Sequence, residues 1–260
     1  MDLNLNNKYA LVCGSTAGIG KATAMTLAQE GVQVTLIARN EDKLKATLTE
    51  LPQHRNHDYI VADFSNPIKL KAKVLNYVSK NHGFHILVNN TGGPKGGPVF
   101  SAEVHEFENA FTQHLICNHV LAQVVVPFMK NENYGRIVNV ISTSVKQPLD
   151  GLGVSNTIRG AVANWSKTLA NELGQFGVTV NNVLPGATGT DRLAEIIKNK
   201  SAKSGNTEEA SANAMKNAVP AKRFAKPEEL ADAITFLASE RASYINGINL
   251  PVDGGRTKSL

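Results

Sequence analysis

The sequence predicts an α/β fold, in which one open, doubly wound parallel sheet is covered by helices on both faces. Short apolar runs alternate with longer segments of helical periodicity along the whole chain. One apolar run ends abruptly in a turn with glycines at positions 14, 18 and 20, and a helical pattern follows at once. Strands that alternate with helices are joined by right-handed crossovers, which makes the sheet parallel and buries both of its faces.

Each predicted strand is a short apolar run that stops at Gly, Pro, Asn or Asp, and each predicted helix has apolar residues at helical spacing. We expect strands at residues 8–13, 32–37, 57–61, from 86 onward, at 136–140, 178–184, and at 248–255 with the closing turn. We expect helices at residues 21–29, 41–51, 67–80, 103–129, 155–176 and 227–238. Residues 187–220 are polar and weakly periodic, which fits either a mobile lid over the substrate or a pair of polar surface helices.

The composition limits the class of protein. The 260 residues, 42% of them hydrophobic, are enough for one globular domain over residues 1–260. The formal net charge is +5, but Lys and Arg are scattered without interleaved aromatic residues, so we expect no nucleic-acid partner. A mildly basic surface suits an anionic ligand, such as a dinucleotide phosphate or an acidic carrier protein, or it serves solubility alone.

The two cysteines and the longest apolar runs indicate the compartment. Cys13 and Cys117 lack metal-ligand spacing, and no secretory leader precedes them. We therefore expect buried free thiols, no metal site and a cytoplasmic location. No apolar run approaches the roughly 18 residues that a membrane-spanning helix needs, so we expect no membrane partner.

The glycine-rich turn predicts a dinucleotide site of the Rossmann type. Glycines allow a sharp turn and a close approach of the backbone to a pyrophosphate, while the N-terminus of the next helix attracts its negative charge. A glycine cluster alone is a weak signal, but here a complete βαβ unit surrounds it. We expect the pyrophosphate to contact Gly14, Ser15, Thr16, Gly18, Ile19 and Gly20.

The residue after the second strand predicts which dinucleotide binds. An acidic side chain there would accept the ribose hydroxyls of NAD, but the sequence has Ala38, Arg39 and Asn40. A guanidinium gives a 2′-phosphate several donors and a permanent charge. We therefore expect NADP(H) in preference to NAD(H), with a solvated loop arginine as the alternative.

Two further strand ends supply candidate cofactor contacts. Asp63, with Phe64 beside it, follows the third strand where it can contact adenine, although Asp before Asn-Pro is equally a helix cap or a turn former. Asn90 and Gly92 follow the fourth strand on the same edge of the sheet. Ligands of open parallel sheets bind along that edge.

The order of motifs resembles the short-chain dehydrogenase/reductase family over residues 8–255. The matching segments are Gly14-Ser-Thr-Ala-Gly-Ile-Gly20, preceded by Cys13 instead of the usual threonine, and Asn89-Asn-Thr-Gly92, which resembles the family's Asn-Asn-Ala-Gly. Two further matching segments are Pro185-Gly-Ala-Thr-Gly-Thr190 and Asp253-Gly-Gly255. The resemblance implies NAD(P) binding, with the Pro185–Gly186 turn leading to Thr188 and Thr190 near the nicotinamide carboxamide. It also implies a homo-oligomer, a tetramer or a dimer, built on the two long helices and the C-terminal strand.

The chain departs from this family at the catalytic centre, which usually consists of Asn, Ser, Tyr and Lys. The residues at these positions are His114, Ser142, Ser155 and Arg159, so that only the serine is retained. In the family, the phenol donates a proton to the substrate oxygen, and the ammonium lowers the phenol pKa and binds the ribose.

The replacements change the proton chemistry. Ser155 and Arg159 share one helix face, but a serine hydroxyl is a poor acid and arginine, with a pKa above about 12, is a permanent cation. Arg159 can still bind ribose and stabilise an oxyanion, and Ser142 can hydrogen-bond the carbonyl. His114, with an ordinary pKa of about 6.5, suits proton transfer; the alternatives are a packed core histidine, and a helix N-cap for Ser155.

Two functional hypotheses follow. The first is an NADPH-dependent reductase of a ketone or a 3-oxoacyl thioester with an altered proton donor. The alternative is a catalytically silent NADP(H)-binding sensor or structural partner. Tyr134 and Tyr244 are poorly placed to replace the missing tyrosine, because one precedes a strand and the other lies far along the chain.

Overall fold

The computed structural model describes residues 1–259 and contains a seven-stranded parallel sheet of order β3-β2-β1-β4-β5-β6-β7. The strands are β1 (Tyr9–Cys13), β2 (Gln33–Ala38), β3 (Asp58–Val61), β4 (Ile86–Asn89), β5 (Gly135–Val140), β6 (Val178–Pro185) and β7 (Asn249–Val252). The strand order reverses between β1 and β4, which opens a crevice at the carboxyl ends of these strands. The predicted doubly wound fold is confirmed.

Helices cover both faces of the sheet. They are α1 (Gly18–Gln29), α2 (Glu41–Glu50), α3 (Pro67–Lys80), α4 (Val104–Phe111), α5 (Cys117–Asn131), α6 (Gly153–Leu173), α7 (Asp191–Ser204), α8 (Glu208–Asn217) and α9 (Pro227–Ala238). Leu27 of α1 and Ile234 of α9 belong to the core on one face, while Leu70 of α3 and Leu121 of α5 belong to the core on the other. The apolar strand residues between them are buried from both sides, which explains their uninterrupted apolar runs.

The prediction of a single α-helix over residues 103–129 is wrong in one respect. Helix α4 passes into a five-residue π-helical segment, Thr112–Ile116, before α5 begins. A π-helical turn shifts the hydrogen-bond register by one residue without ending the helix, so hydrophobic periodicity does not reveal it. The segment includes His114, whose side chain is buried.

Residues 187–220 form a polar helix pair, as one of the two alternatives predicted. Helices α7 and α8 are mostly exposed, and each buries a single residue, Leu193 and Ser211. None of the helices within residues 1–259 has the length and apolar character that a membrane crossing needs. Cys13 and Cys117 are buried free thiols, as expected.

Candidate active site

The glycine-rich turn forms one wall of the crevice. Gly14 and Gly18 have φ angles of +59° and +52°, a region that side chains with a Cβ rarely adopt. Helix α1 begins at Gly18, and its N-cap Ala17 offers no side-chain acceptor to the first amides. The first turn also lacks acidic residues, so these N–H donors remain for an anionic group of a ligand.

Two side chains hold the glycine-rich turn in place, one from the turn itself and one from the end of β4. The Ser15 hydroxyl is fully buried and accepts a hydrogen bond from the Ile37 amide at 3.1 Å. Asn90 donates to the carbonyl oxygens of Cys13 and Gly14 at 3.3 and 3.4 Å. Asn90 therefore fixes the turn to β4, and Ser15 fixes it to β2 while the proton of its hydroxyl stays available for a ligand oxygen. Thr16 and Ile19 are half-buried in the same turn.

The ends of β2 and β3 place Arg39 beside Asp63. Arg39 is exposed and forms no ion pair or hydrogen bond with residues 1–259 through its guanidinium. The Asp63 carboxylate accepts from the Ser65 amide at 2.9 Å; this bond, with a smaller contribution from Arg39, lowers the pKa of Asp63. The side chain of Phe64, expected at the cofactor, is instead buried in the core beside Cys117, whose thiol donates to the Phe64 carbonyl at 3.0 Å.

The loop after β6 faces the glycine turn. The Gly186 amide donates to the Val252 carbonyl at 3.0 Å, which anchors the loop to β7. Thr188 is buried and donates to the Gly186 carbonyl, and Thr190 caps α7 by accepting from the Leu193 amide at 3.4 Å. A Cβ placed on Gly18 would lie 3.0 Å from the Thr190 methyl carbon. The structure thus brings the glycine-rich turn and the loop after β6, both predicted to contact the cofactor, next to each other. Gly92, by contrast, is exposed in open space.

Arg159 is a buried cation at the centre of the site. It is 7% exposed, and one terminal nitrogen donates to the Val140 carbonyl at the end of β5 at 3.2 Å. Its other terminal nitrogen lies 3.8 Å from the place where a Cβ on Gly93 would stand. The Nε atom is buried without a hydrogen-bond partner. Burial lowers the pKa of Arg159 to about 10, which leaves the side chain charged at neutral pH.

His114 lies within range of this charge. Its Nδ1 atom is 2.6 Å from the Thr91 hydroxyl, and its side chain is almost fully buried. Burial and the Arg159 charge lower the pKa of His114 to about 2. Desolvation and the neighbouring charge therefore favour the neutral ring, so a proton that His114 supplied would come from a neutral imidazole.

The two serines occupy different settings. Ser142 is half-buried, and its hydroxyl accepts from the Ser144 amide at 3.1 Å, which leaves its proton free to be donated. Helix α6 begins at Gly153 with Leu152 as its N-cap. The alternative of an N-cap at Ser155 is thus wrong, since this residue lies inside the first turn, one turn before Arg159.

Similarity to known proteins settles the family. The sequence profile of the family described as Enoyl-(Acyl carrier protein) reductase matches residues 14–257. The chain is a short-chain dehydrogenase/reductase. It is 28% identical to the NADPH-dependent reductase BacG of Bacillus subtilis (strain 168) over 260 residues, covering 98% of this chain and 100% of that protein. It is 33% identical to the 3-oxoacyl-[acyl-carrier-protein] reductase FabG of Vibrio cholerae over 255 residues, 97% and 98% of the two chains.

A solved relative has the same architecture. The structure of L-sorbose reductase from Gluconobacter frateurii, in complex with NADPH and L-sorbose, matches with a TM-score of 0.94 at 32% identity, and the match covers 100% of both chains. The predicted family membership is therefore confirmed across the chain.

Sequence reasoning missed one residue of this short-chain dehydrogenase/reductase site. Thr91, between the predicted cofactor residues Asn90 and Gly92, holds the Nδ1 atom of His114. The signal was available, because this threonine stands where the family motif has alanine. Its partner lies 23 residues further along the chain.

Proposed function

We propose that this short-chain dehydrogenase/reductase reduces the carbonyl group of a ketone or a 3-oxoacyl thioester with NADPH, using a proton donor other than tyrosine. The observation that carries the proposal is the buried Arg159 guanidinium, which has an unpaired Nε at the carboxyl edge of the sheet. A buried cation without a carboxylate partner is costly unless a ligand oxygen uses it. The similar proteins BacG, FabG and L-sorbose reductase are all reductases; BacG is NADPH-dependent, and L-sorbose reductase has been solved in complex with NADPH.

The chain's residues fit this dinucleotide. The free amides at the start of α1 suit the pyrophosphate, and Arg39 suits the 2′-phosphate because its charge is unpaired and exposed. Arg159 Nε suits a ribose hydroxyl or the substrate oxygen. When bound, NADPH supplies the hydride. The remaining proposed contacts are Thr16, Ile19, Asp63, Asn90, Gly92, Pro185, Gly186, Thr188 and Thr190.

Ser142 and Arg159 supply the electrostatic part of the reaction. The Ser142 hydroxyl donates a hydrogen bond to the substrate carbonyl, which orients it and polarises the C=O bond. Arg159 stabilises the negative charge that develops on that oxygen without giving up its own proton, since its pKa stays well above neutral. Ser155 adds a second hydroxyl one turn away on α6.

We also propose that the chain acts in the cytoplasm as a homodimer or homotetramer. Val104 and Phe111 of α4 are large hydrophobic residues that are 72% and 41% exposed. They lie on α4, which continues through the π-helical segment into α5 and so belongs to the first of the two long helices that the family resemblance assigns to subunit contacts. Light scattering after size-exclusion chromatography measures the subunit number, and a monomer at micromolar concentration would contradict the proposal.

The test of the reductase combines cofactor binding with turnover. NADPH and NADH are titrated by fluorescence, and NADPH absorbance is then followed with a panel of ketones and 3-oxoacyl thioesters. We expect the wild type to consume NADPH with at least one panel member. The rate of this consumption should be at least about tenfold lower in Ser142→Ala, because a hydrogen bond to the developing charge is lost. Ser79→Ala, on the exposed side of α3, is the control. Tight NADPH binding without turnover of any panel member would favour the silent sensor.

A further inference from the structure

The contact between Thr91 and His114 joins two departures from the family pattern. Thr91 stands in the loop that leaves β4, in place of the motif's alanine, and His114 stands at the position of the helix asparagine. Their Oγ1 and Nδ1 atoms are 2.6 Å apart, a short hydrogen bond. The π-helical segment Thr112–Ile116 carries His114 into the interior. Neither replacement alone would form this bond.

The setting of His114 determines what kind of proton chemistry it can do. Its ring remains neutral because it is buried and faces the positive charge of Arg159. A neutral imidazole has one N–H and one lone pair, so it cannot act as an acid by losing the second proton of an imidazolium. It can still pass a proton on, by releasing one from one ring nitrogen while it accepts one at the other.

The two ring nitrogens have different partners. Nδ1 faces the Thr91 hydroxyl, which can donate to it. Nε2 forms no hydrogen bond with any side chain or backbone group of residues 1–259, which leaves it for a ligand or a bound water. The hydroxyl can donate to Nδ1 or accept from an Nδ1–H, and the tautomer in which it donates is the one with the proton on Nε2.

We infer that Thr91 is a positioning residue, which holds the His114 ring with a proton on Nε2 and donates its own proton to Nδ1 when the Nε2 proton passes to the reduced substrate oxygen. The inference rests on the proposed reductase function. As the carbonyl carbon is reduced, the Nε2–H bond breaks and an O–H bond forms on the substrate, directly or through one water. The Thr91 O–H proton moves to Nδ1, and solvent water returns a proton to the Thr91 oxygen. After the product leaves, a second water protonates Nε2, and the Nδ1 proton passes back through Thr91 to the hydroxide that this water leaves, which restores the Nε2–H tautomer. One proton is consumed from water, and no further oxidant or reductant is needed.

The kinetic test compares Thr91→Val, which removes the hydroxyl at similar volume, with Thr91→Ser, which keeps it. We expect Thr91→Val to lower kcat at least about tenfold, with the NADPH Kd unchanged within about twofold, and Thr91→Ser to recover most of the rate. The solvent deuterium isotope effect on kcat should rise in Thr91→Val, because proton transfer becomes slower. Thr112→Val, a half-buried threonine two residues from His114, is the matched control.

A wild-type kcat in Thr91→Val would overturn the inference. A fall in kcat that only parallels weaker NADPH binding would also overturn it, because the role would then be structural.

A second measurement does not depend on turnover. The ¹⁵N chemical shifts of the His114 ring, assigned by their loss in His114→Asn, report which nitrogen carries the proton. We expect a single Nε2–H tautomer in the wild type and in Thr91→Ser, and a mixture in Thr91→Val. An unchanged tautomer in Thr91→Val overturns the positioning role. If the expected tautomers appear but the wild type reduces no panel substrate, the proposed reductase function fails while the positioning by Thr91 stands.

Discussion

The Asn89 side-chain amide donates a hydrogen bond to the Asn139 side-chain oxygen at 2.8 Å, between neighbouring strands in the interior of the sheet. Asn139 in turn donates to Asn182 at 3.1 Å, and Asn182 donates to Asn249 at 2.8 Å. These residues are directly opposite one another in the registers of β4 to β7. A row of amides thus fixes the register of four strands, because a slip by one residue would leave buried polar groups unpaired.

Replacement of Asn139 by leucine tests this row. In Asn139→Leu, the Asn89 amide and the Asn182 oxygen lose their partners in the buried interior. We expect the free energy of unfolding to fall by about 2 to 5 kcal/mol, since each unpaired buried group costs about 1 to 3 kcal/mol. Urea unfolding measures the change, and Asn199→Leu on exposed α7 is the control. Equal stability of both variants would show that the row contributes nothing.

The strands were predictable because a parallel sheet covered on both faces favours apolar residues on both sides of each strand, and these runs stop at Gly, Pro, Asn or Asp. The observed β1 and β5 differ from the predicted ranges by one residue at one end, and α3 and α9 have the predicted bounds. The break in the helix at Thr112–Ile116 was not predictable, because a register shift of the backbone hydrogen bonds leaves no periodic signal.

The candidate site was predictable in position but not in protonation. Counting from the family motifs located His114 and Arg159 on their helices, and the structure brings them together. Their pKa values depend on burial and on neighbours that are distant in sequence, which no local pattern encodes. The threonine at position 91 is visible in the sequence as a departure from the family motif, but its contact with His114 is not, because the two residues are 23 positions apart.

Arg39 should discriminate between the two cofactors. Because its guanidinium is exposed and unpaired at the end of β2, Arg39→Ala should weaken NADPH binding about 10- to 100-fold and leave NADH nearly unchanged. Fluorescence titrations with both cofactors measure the difference. Lys43→Ala, in the exposed first turn of α2, controls for general loss of positive charge. Equal weakening of both cofactors would remove the 2′-phosphate assignment.

Arg159 should act on both cofactors alike. Its unpaired Nε is a donor for a ribose hydroxyl that NADPH and NADH share. Arg159→Ala should therefore raise both Kd values by a similar factor, about tenfold for the loss of a hydrogen bond. The same titrations give the two factors, with Arg39→Ala as the cofactor-selective comparison. Unchanged binding of both would mean that Arg159 serves only the substrate oxygen or the fold.

His85 should make the fold sensitive to acid. Its Nδ1 accepts from the Tyr9 amide at 3.1 Å, and burial, together with the charges of Lys8 and His82, lowers the pKa of His85 to about 4. Between this value and the ordinary pKa of about 6.5, the unfolded chain binds a proton that the native state does not, so stability falls as the pH drops through this window. The full loss is about 3 kcal/mol.

In urea unfolding from pH 7 to pH 4, His85→Asn, which retains an acceptor but cannot titrate, should lose less stability than the wild type. The exposed His105→Asn should follow the wild type. Identical slopes for His85→Asn and the wild type would mean that His85 is protonated without cost in the native state.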